Sequence, residues 1–152
     1  MQRRHKLMLL ALALPIAIAA QNASKSDPFV GTWKLDTAKS HYSGEPAPTS
    51  ETVTIQPGGA ANIREVGADG KTVNWSYTAT EGQTVPITGM DNSSVMEKRV
   101  SDRVVEHTWS MNGDNLRGRG VVSKDGKTMR YTLDGTSKEG KKIHNLLILN
   151  KE

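Results

Sequence analysis

Short turns separate the apolar segments of this chain, and their spacing limits the fold more than any other sequence feature. Five turns carry glycine, which tolerates the positive φ of tight hairpins: Pro57-Gly58-Gly59, Asp69-Gly70-Lys71, Asn112-Gly113-Asp114, Asp125-Gly126-Lys127 and Glu139-Gly140-Lys141. Gaps this short cannot hold the helix of a parallel crossover, so consecutive strands must pair antiparallel. The turns therefore predict an all-β chain.

The segments between these turns have the length and alternation of strands. After an opening strand at 29–35, strands are predicted at 52–56, 61–66, 72–80, 85–88, 94–100, 104–111, 116–123, 128–133 and 143–150. We expect an antiparallel up-and-down meander of about 8–10 strands, closed into a barrel because closure removes the unpaired edges. Residues 37–50 predict a loop across an open end of the sheet, with room for one helical turn at 37–42.

The N-terminus has the three parts of a secretory signal. Arg3, Arg4 and Lys6 precede an apolar run at 7–20, and Ala17-Ile18-Ala19 fits the small-x-small cleavage pattern. We predict a signal peptide at 1–19, a flexible leader at 20–28 and one β-barrel domain at 29–152. An uncleaved anchor is the alternative. Cleavage would give an exported protein, periplasmic or extracellular, with no integral membrane segment.

The charge and the cysteine count narrow the function classes. Losing the three basic residues of the signal lowers the net charge from +4 to +1, and the remaining charges are interleaved. This balance is poor evidence for a nucleic-acid partner. The chain has no cysteine, so an exported domain must be held together by its core alone.

A repeat at an offset of 56 residues relates two hairpins. Residues 69–76 match 125–132 in kind, and 52–55 match 108–111 without a gap. One interpretation is a duplicated three-strand unit; the other is that both turns adopted Asp-Gly-Lys-Thr independently because the turn geometry favours it.

Alternation places most large side chains of the strands on one face, which we expect to point into the barrel. Val73 belongs to this face. Leu116, Gly118, Gly120 and Val122 form a face whose glycines permit a bend or leave interior space. The candidate ligand-binding residues on the inner faces are Trp75, Tyr77, His107, Trp109, Met129 and Tyr131.

The opening strand carries a family resemblance. The first strand of lipocalins and fatty-acid-binding proteins is similar to Val30-Gly31-Thr32-Trp33-Lys34-Leu35. The chain as a whole resembles small secreted bacterial lipocalin-like proteins of the calycin type. The segments that carry this second resemblance are 29–35, 85–89, 98–103 and 121–129. The resemblance implies a barrel closed at one end by Trp33, with Gly31 beside it as part of this structural plug. Lipocalins cover that Trp with an Arg near the last strand, where this chain has none; Arg130 or Lys151 could replace it.

Catalytic and metal chemistry find little support in the sequence. His41, His107 and His144 lack metal-type partners at local spacing, and no Gly-x-Ser-x-Gly elbow is present. We predict no metal, no cofactor and no catalytic group, with a small apolar ligand in the barrel as the first hypothesis. A small isomerase or hydrolase using His107 is the second. An interaction or structural module with a filled barrel is the third.

Overall fold

The computed structural model describes residues 26–152, so the predicted signal peptide at 1–19 and most of the predicted leader lie outside the described residues. This part of the chain holds ten strands and no helix. The strands are β1 (Gly31–Leu35), β2 (Ser50–Ile55), β3 (Ala60–Val66), β4 (Thr72–Thr78), β5 (Thr84–Pro86), β6 (Ser94–Ser101), β7 (Val104–Met111), β8 (Asp114–Val122), β9 (Thr128–Thr136) and β10 (Lys142–Lys151).

The ten strands form one antiparallel sheet that curls into a nearly closed barrel. Its order is β4-β3-β2-β1-β10-β9-β8-β7-β6-β5, so neighbours in the sheet are neighbours in the chain except where β1 pairs with β10. The two edges meet in a single bridge, in which the backbones of Ser76 and Thr88 exchange hydrogen bonds of 3.0 and 2.8 Å. The predicted all-β up-and-down barrel is confirmed.

The glycine turns explain the hairpins. Gly70, Gly126 and Gly140 have φ values of 78°, 72° and 80°, in the left-handed region that favours glycine. In the first two turns the preceding Asp carboxylate accepts the amide of the following Lys, at 3.0 and 3.1 Å. The third turn has no Asp, and a serine hydroxyl accepts that amide instead. Whether the first two turns arose by duplication stays open.

Trp33, the predicted plug residue, lies in the barrel core. Its side chain is fully buried, and the indole N–H donates to the Phe29 carbonyl at 2.8 Å. The Lys151 ammonium lies 4.8 Å from the centre of the indole ring and donates to the carbonyls of Pro28 and Val30 at 2.9 and 2.7 Å. Of the two candidate covers, Lys151 therefore lies over Trp33, whereas Arg130 is exposed on the outer face of β9.

Residues 26–30 lie at the end of the barrel where β1 begins. Asp27 accepts the Phe29 amide at 3.0 Å and pairs with the Arg99 guanidinium at 2.9 Å. The same guanidinium stacks over the Phe29 ring, 4.4 Å from its centre. The last residues of the predicted leader are thus attached to the barrel.

The loop between β1 and β2 crosses the opposite end, as expected. It begins with one turn, in which the Asp36 carbonyl accepts the amides of Lys39 and Ser40, and no helix forms. His41 then bridges to Leu146 of β10 through two backbone hydrogen bonds of 2.8 Å. These bonds hold the loop over the barrel mouth.

Candidate ligand-binding cavity

The barrel interior contains a cavity of about 330 Å³. This volume is at the lower end of the usual range for small-molecule sites. The interior therefore has space for a small molecule, and the third hypothesis, an interaction or structural module, stays a prediction. Its apolar wall comes from inward-facing residues of most strands, including Val53, Ile55, Ile63, Val105, Leu116, Leu133, Leu147 and Leu149.

Five of the six predicted ligand-binding residues line this cavity: Trp75, Tyr77, Trp109, Met129 and Tyr131. The Trp109 ring meets Trp75 and Tyr77 edge to face, with ring centres 5.8 and 5.6 Å apart. Such edge contacts fix ring orientation and add about 0.5–1.5 kcal/mol to each pair. The strands thus hold a rigid aromatic wall. Val73, expected on the inner face, is 40% exposed because it lies at the end of β4.

His107, the sixth predicted residue, is buried but does not line the cavity. Its Nδ1 lies 3.1 Å from the Tyr131 hydroxyl, and its Nε2 lies 3.1 Å from a Glu97 carboxylate oxygen and 3.4 Å from the Tyr77 hydroxyl. Both ring nitrogens therefore have protein partners. The hypothesis of an enzyme that uses His107 stays a prediction.

The hydrogen-bond directions in this network follow from its only fixed donor. The Trp109 indole N–H must donate to the Tyr131 oxygen, 2.8 Å away, because indole cannot accept. The Tyr131 O–H is then free to donate to His107 Nδ1. With that direction, the proton of a neutral His107 ring lies on Nε2, which then donates to Glu97. This series of hydrogen bonds, Trp109–Tyr131–His107–Glu97, holds the aromatic rings of the cavity wall in position. Burial raises the pKa of Tyr131 well above its ordinary value.

Gly118 and Gly120 do not leave interior space, because the Tyr131 side chain lies across them. A Cβ on Gly118 would sit 1.8 Å from the Tyr131 hydroxyl oxygen and 2.4 Å from ring carbon Cζ. On Gly120 it would meet Val105 at 3.0 Å and the Tyr131 ring at 3.2 Å. The alternating glycines therefore provide the space in which the Tyr131 side chain packs against β8.

Carboxylates at the open end of the cavity were missed by the sequence analysis. Glu51 and Glu65 lie directly opposite each other on β2 and β3, and Glu45 reaches the same cavity from the crossing loop. Burial, with Glu65 adding to it, raises the pKa of Glu51 to about 7. Burial also raises the pKa of Glu65, with a contribution from Glu45. Alternation along β2 and β3, which puts Glu51 beside Val53 and Glu65 beside Ile63, was a usable signal.

The loop over the mouth is held against these carboxylates by Asn145. This side chain is fully buried, accepts the Ser43 amide at 3.0 Å and donates to the Glu45 carboxylate. Tyr42 also faces the cavity, and its hydroxyl has no hydrogen-bond partner. Within residues 26–152, the Trp75 indole N–H is the other buried side-chain polar atom without a partner.

A second concavity, more open to solvent, lies on the outer face of β2–β4. It measures about 510 Å³ and is lined mostly by polar side chains, among them Thr52, Thr54, Asn62 and Asn74. Because it is shallower and more open to solvent than the barrel interior, it would bury less of a ligand's surface, so the interior cavity is the better candidate for a small apolar ligand.

Residues 26–152 show neither a metal cluster nor a transmembrane helix. No three His, Asp or Glu side chains in this range converge as metal ligands would. No helix there is both long and apolar enough to cross a bilayer.

Comparisons with known proteins identify the fold. No protein-family model and no curated protein sequence matches the chain. Among solved structures, it is similar to a variant of the fluorescent protein UnaG, with 14% identity over 82% of this chain and 96% of that one and a TM-score of 0.51.

Two further solved structures are similar. A Nostoc punctiforme protein of unknown function from the DUF3598 family matches at 13% identity and a TM-score of 0.55, over 84% of this chain and 48% of that one. A Schistosoma mansoni fatty acid binding protein in complex with arachidonic acid matches at 15% identity over 82% of this chain and 96% of that one, with a TM-score of 0.49. The likeness to the UnaG variant and to the DUF3598 protein, at TM-scores of 0.51 and 0.55, concerns architecture alone, and it shows that the chain folds as a calycin-like β-barrel.

Proposed function

We propose that this protein is an exported binding protein, periplasmic or extracellular, that holds a small, mainly apolar molecule inside its barrel. The observation that carries the proposal is the hollow interior of about 330 Å³ walled by aromatic and aliphatic side chains. The calycin-like fold agrees with it, and the N-terminal signal pattern supports export.

The physical basis is burial of apolar surface in a preformed space. Each square ångström of apolar ligand surface taken out of water contributes about 25 cal/mol, and a rigid wall has little conformational entropy left to lose on binding. The Trp109–Tyr131–His107 hydrogen bonds keep two of the wall's rings in place before any ligand arrives.

Titration with N-phenyl-1-naphthylamine, a neutral apolar probe, tests this proposal. We expect its fluorescence to rise saturably with the wild-type protein, because the probe leaves water for the cavity. Substituting Val53→Phe together with Leu133→Phe narrows the cavity, since both side chains line it, and should weaken binding at least about tenfold, or 1.4 kcal/mol.

The matched control is Val121→Phe. Val121 is 38% exposed on the outer face of β8, so this change adds the same ring without filling the interior. Binding that survives the cavity-filling pair unchanged, or is lost equally in the control, would contradict the proposal. Native mass spectrometry of the protein purified from its own host should in addition show a retained small molecule.

A further inference from the structure

The ionisable side chains of residues 26–152 that line the cavity include carboxylates and no basic group. Its lining includes the acidic residues Glu45, Glu51, Glu65 and Asp114, while no Lys, Arg or His of the described residues contributes to it. A ligand carboxylate would enter a poorly hydrated space with like charges and no cation to pair with, which is costly at low dielectric. An ammonium group there would instead form charge-assisted hydrogen bonds.

We infer that the molecule bound in this cavity is an apolar amine, whose protonated nitrogen lies between Glu51 and Glu65 at the open end. This inference rests on the proposed function and adds the chemical class of the ligand. The register of β2 and β3 places the two glutamates directly across from each other on the inner face. An ammonium with several N–H donors can serve both.

Two polar atoms of the cavity wall have no hydrogen-bond partner within the protein and are therefore available to a ligand. The Tyr42 hydroxyl and the Trp75 indole N–H are buried without a hydrogen-bond partner, and both side chains line the cavity. Leaving such groups unsatisfied costs about 1–3 kcal/mol each, so native proteins rarely do so without reason. Because indole only donates, the ligand is expected to present an acceptor atom near Trp75.

Binding of such a cation depends on pH through the groups that face Glu51. These are Glu65 on β3, Tyr42 on the crossing loop and Tyr131 on β9, and Glu45 of the loop acts in turn on Glu65. None of these four groups is basic, so nothing among them offsets the repulsion that favours the protonated Glu51. Between pH 8 and pH 5.5 the empty site takes up a proton that a bound ammonium must displace, so amine affinity falls as pH falls.

The test is displacement of N-phenyl-1-naphthylamine by three molecules with one alkyl chain: decylamine, decanol and decanoate. For the wild type at pH 8, decylamine should displace the probe at a concentration at least about tenfold below that of decanoate. In Glu51→Gln combined with Glu65→Gln this ratio should fall to about threefold or less. The matched control is Glu139→Gln, an exposed turn residue that should leave the ratio unchanged.

The outcomes separate this inference from the proposed function. Failure of the probe itself to bind contradicts both. Probe binding with decanoate equal to or better than decylamine, or with a preference that survives the double substitution, overturns the amine and leaves the binding protein standing. If the double variant does not fold, the pH dependence of decylamine and decanol binding to the wild-type protein still tests the inference. Decylamine, but not decanol, should lose about tenfold or more in affinity between pH 8 and pH 5.5, and equal responses overturn the inference.

Discussion

Gly118→Ala is the substitution whose consequence the structure determines most closely. The added methyl would lie 1.8 Å from the Tyr131 hydroxyl oxygen and 2.9 Å from the Trp109 indole nitrogen. The Tyr131 ring must therefore move away from β8. Displacement breaks the hydrogen bonds that Tyr131 makes with Trp109 and His107, at 2.8 and 3.1 Å. Gly118 has no positive φ, so alanine is not strained by the backbone itself.

The magnitude follows from three contributions. Two hydrogen bonds contribute about 1 kcal/mol each, and overpacking costs about 1–3 kcal/mol. The lower backbone entropy of unfolded alanine returns about 0.4–1 kcal/mol. We expect Gly118→Ala to lower the free energy of unfolding by roughly 2–4 kcal/mol, which moves the urea midpoint down by about 1–2 M.

Urea unfolding with near-ultraviolet circular dichroism measures both the stability and the Trp109 environment. Gly120→Ala, whose methyl meets its nearest neighbour at 3.0 Å, should cost less. Adding Tyr131→Leu should reduce the cost of Gly118→Ala, because the clashing group is gone. A Gly118→Ala protein with wild-type stability and an unchanged near-ultraviolet spectrum would refute the packing of Tyr131 against Gly118.

Three further predictions concern other parts of the barrel. Lys151→Met should lower the unfolding free energy by about 1–3 kcal/mol in urea titrations, because it removes the cation over Trp33 and two charge-assisted hydrogen bonds; an unchanged midpoint would contradict this. Since the pKa of Glu51 is raised from 4.5 to about 7, ionisation of this group destabilises the ligand-free protein increasingly from about pH 4.5 to 7. Glu51→Gln should therefore raise the free energy of unfolding by roughly 1–3 kcal/mol at pH 8 and by almost nothing at pH 4. Equal gains in unfolding free energy at both pH values would exclude this cause. His107→Ala should destabilise the fold by about 1–3 kcal/mol, because it removes the hydrogen bonds to the Tyr131 hydroxyl and to the Glu97 carboxylate. It should keep N-phenyl-1-naphthylamine binding, since the Trp109 indole still holds Tyr131, and lost binding in a folded variant would contradict this.

The turns and the alternation made most of the fold predictable. Asp-Gly and Asn-Gly pairs fix hairpins by local backbone chemistry, so strand order and the antiparallel pairing could be derived, and 104–111 matches β7 at both ends. Other ends depend on partners distant in sequence: β9 continues to Thr136 because β8 and β10 pair with it there. The bridge between Ser76 and Thr88 likewise depends on overall curvature, which no local pattern specifies.

The cavity was predictable in its aromatic part and not in its acidic part. Trp75, Trp109 and Tyr131 are large and apolar, so alternation alone places them inside. Glu51 and Glu65 share the inner face of their strands, but a preference for exposed charge hid them, since acids are rarely buried without a partner. The position of His107 behind the wall depends on the register between strands far apart in sequence, which sequence patterns do not supply.

Nuclear Overhauser contacts between bound N-phenyl-1-naphthylamine and the protein's methyl groups test the central claim most directly. If the barrel interior is the binding site, the probe protons should contact the methyls of Met129 and Leu133, which line the cavity. Contacts confined to Thr52 and Thr54 would place the probe in the outer groove instead and would contradict the account of this protein as a barrel that binds its ligand inside.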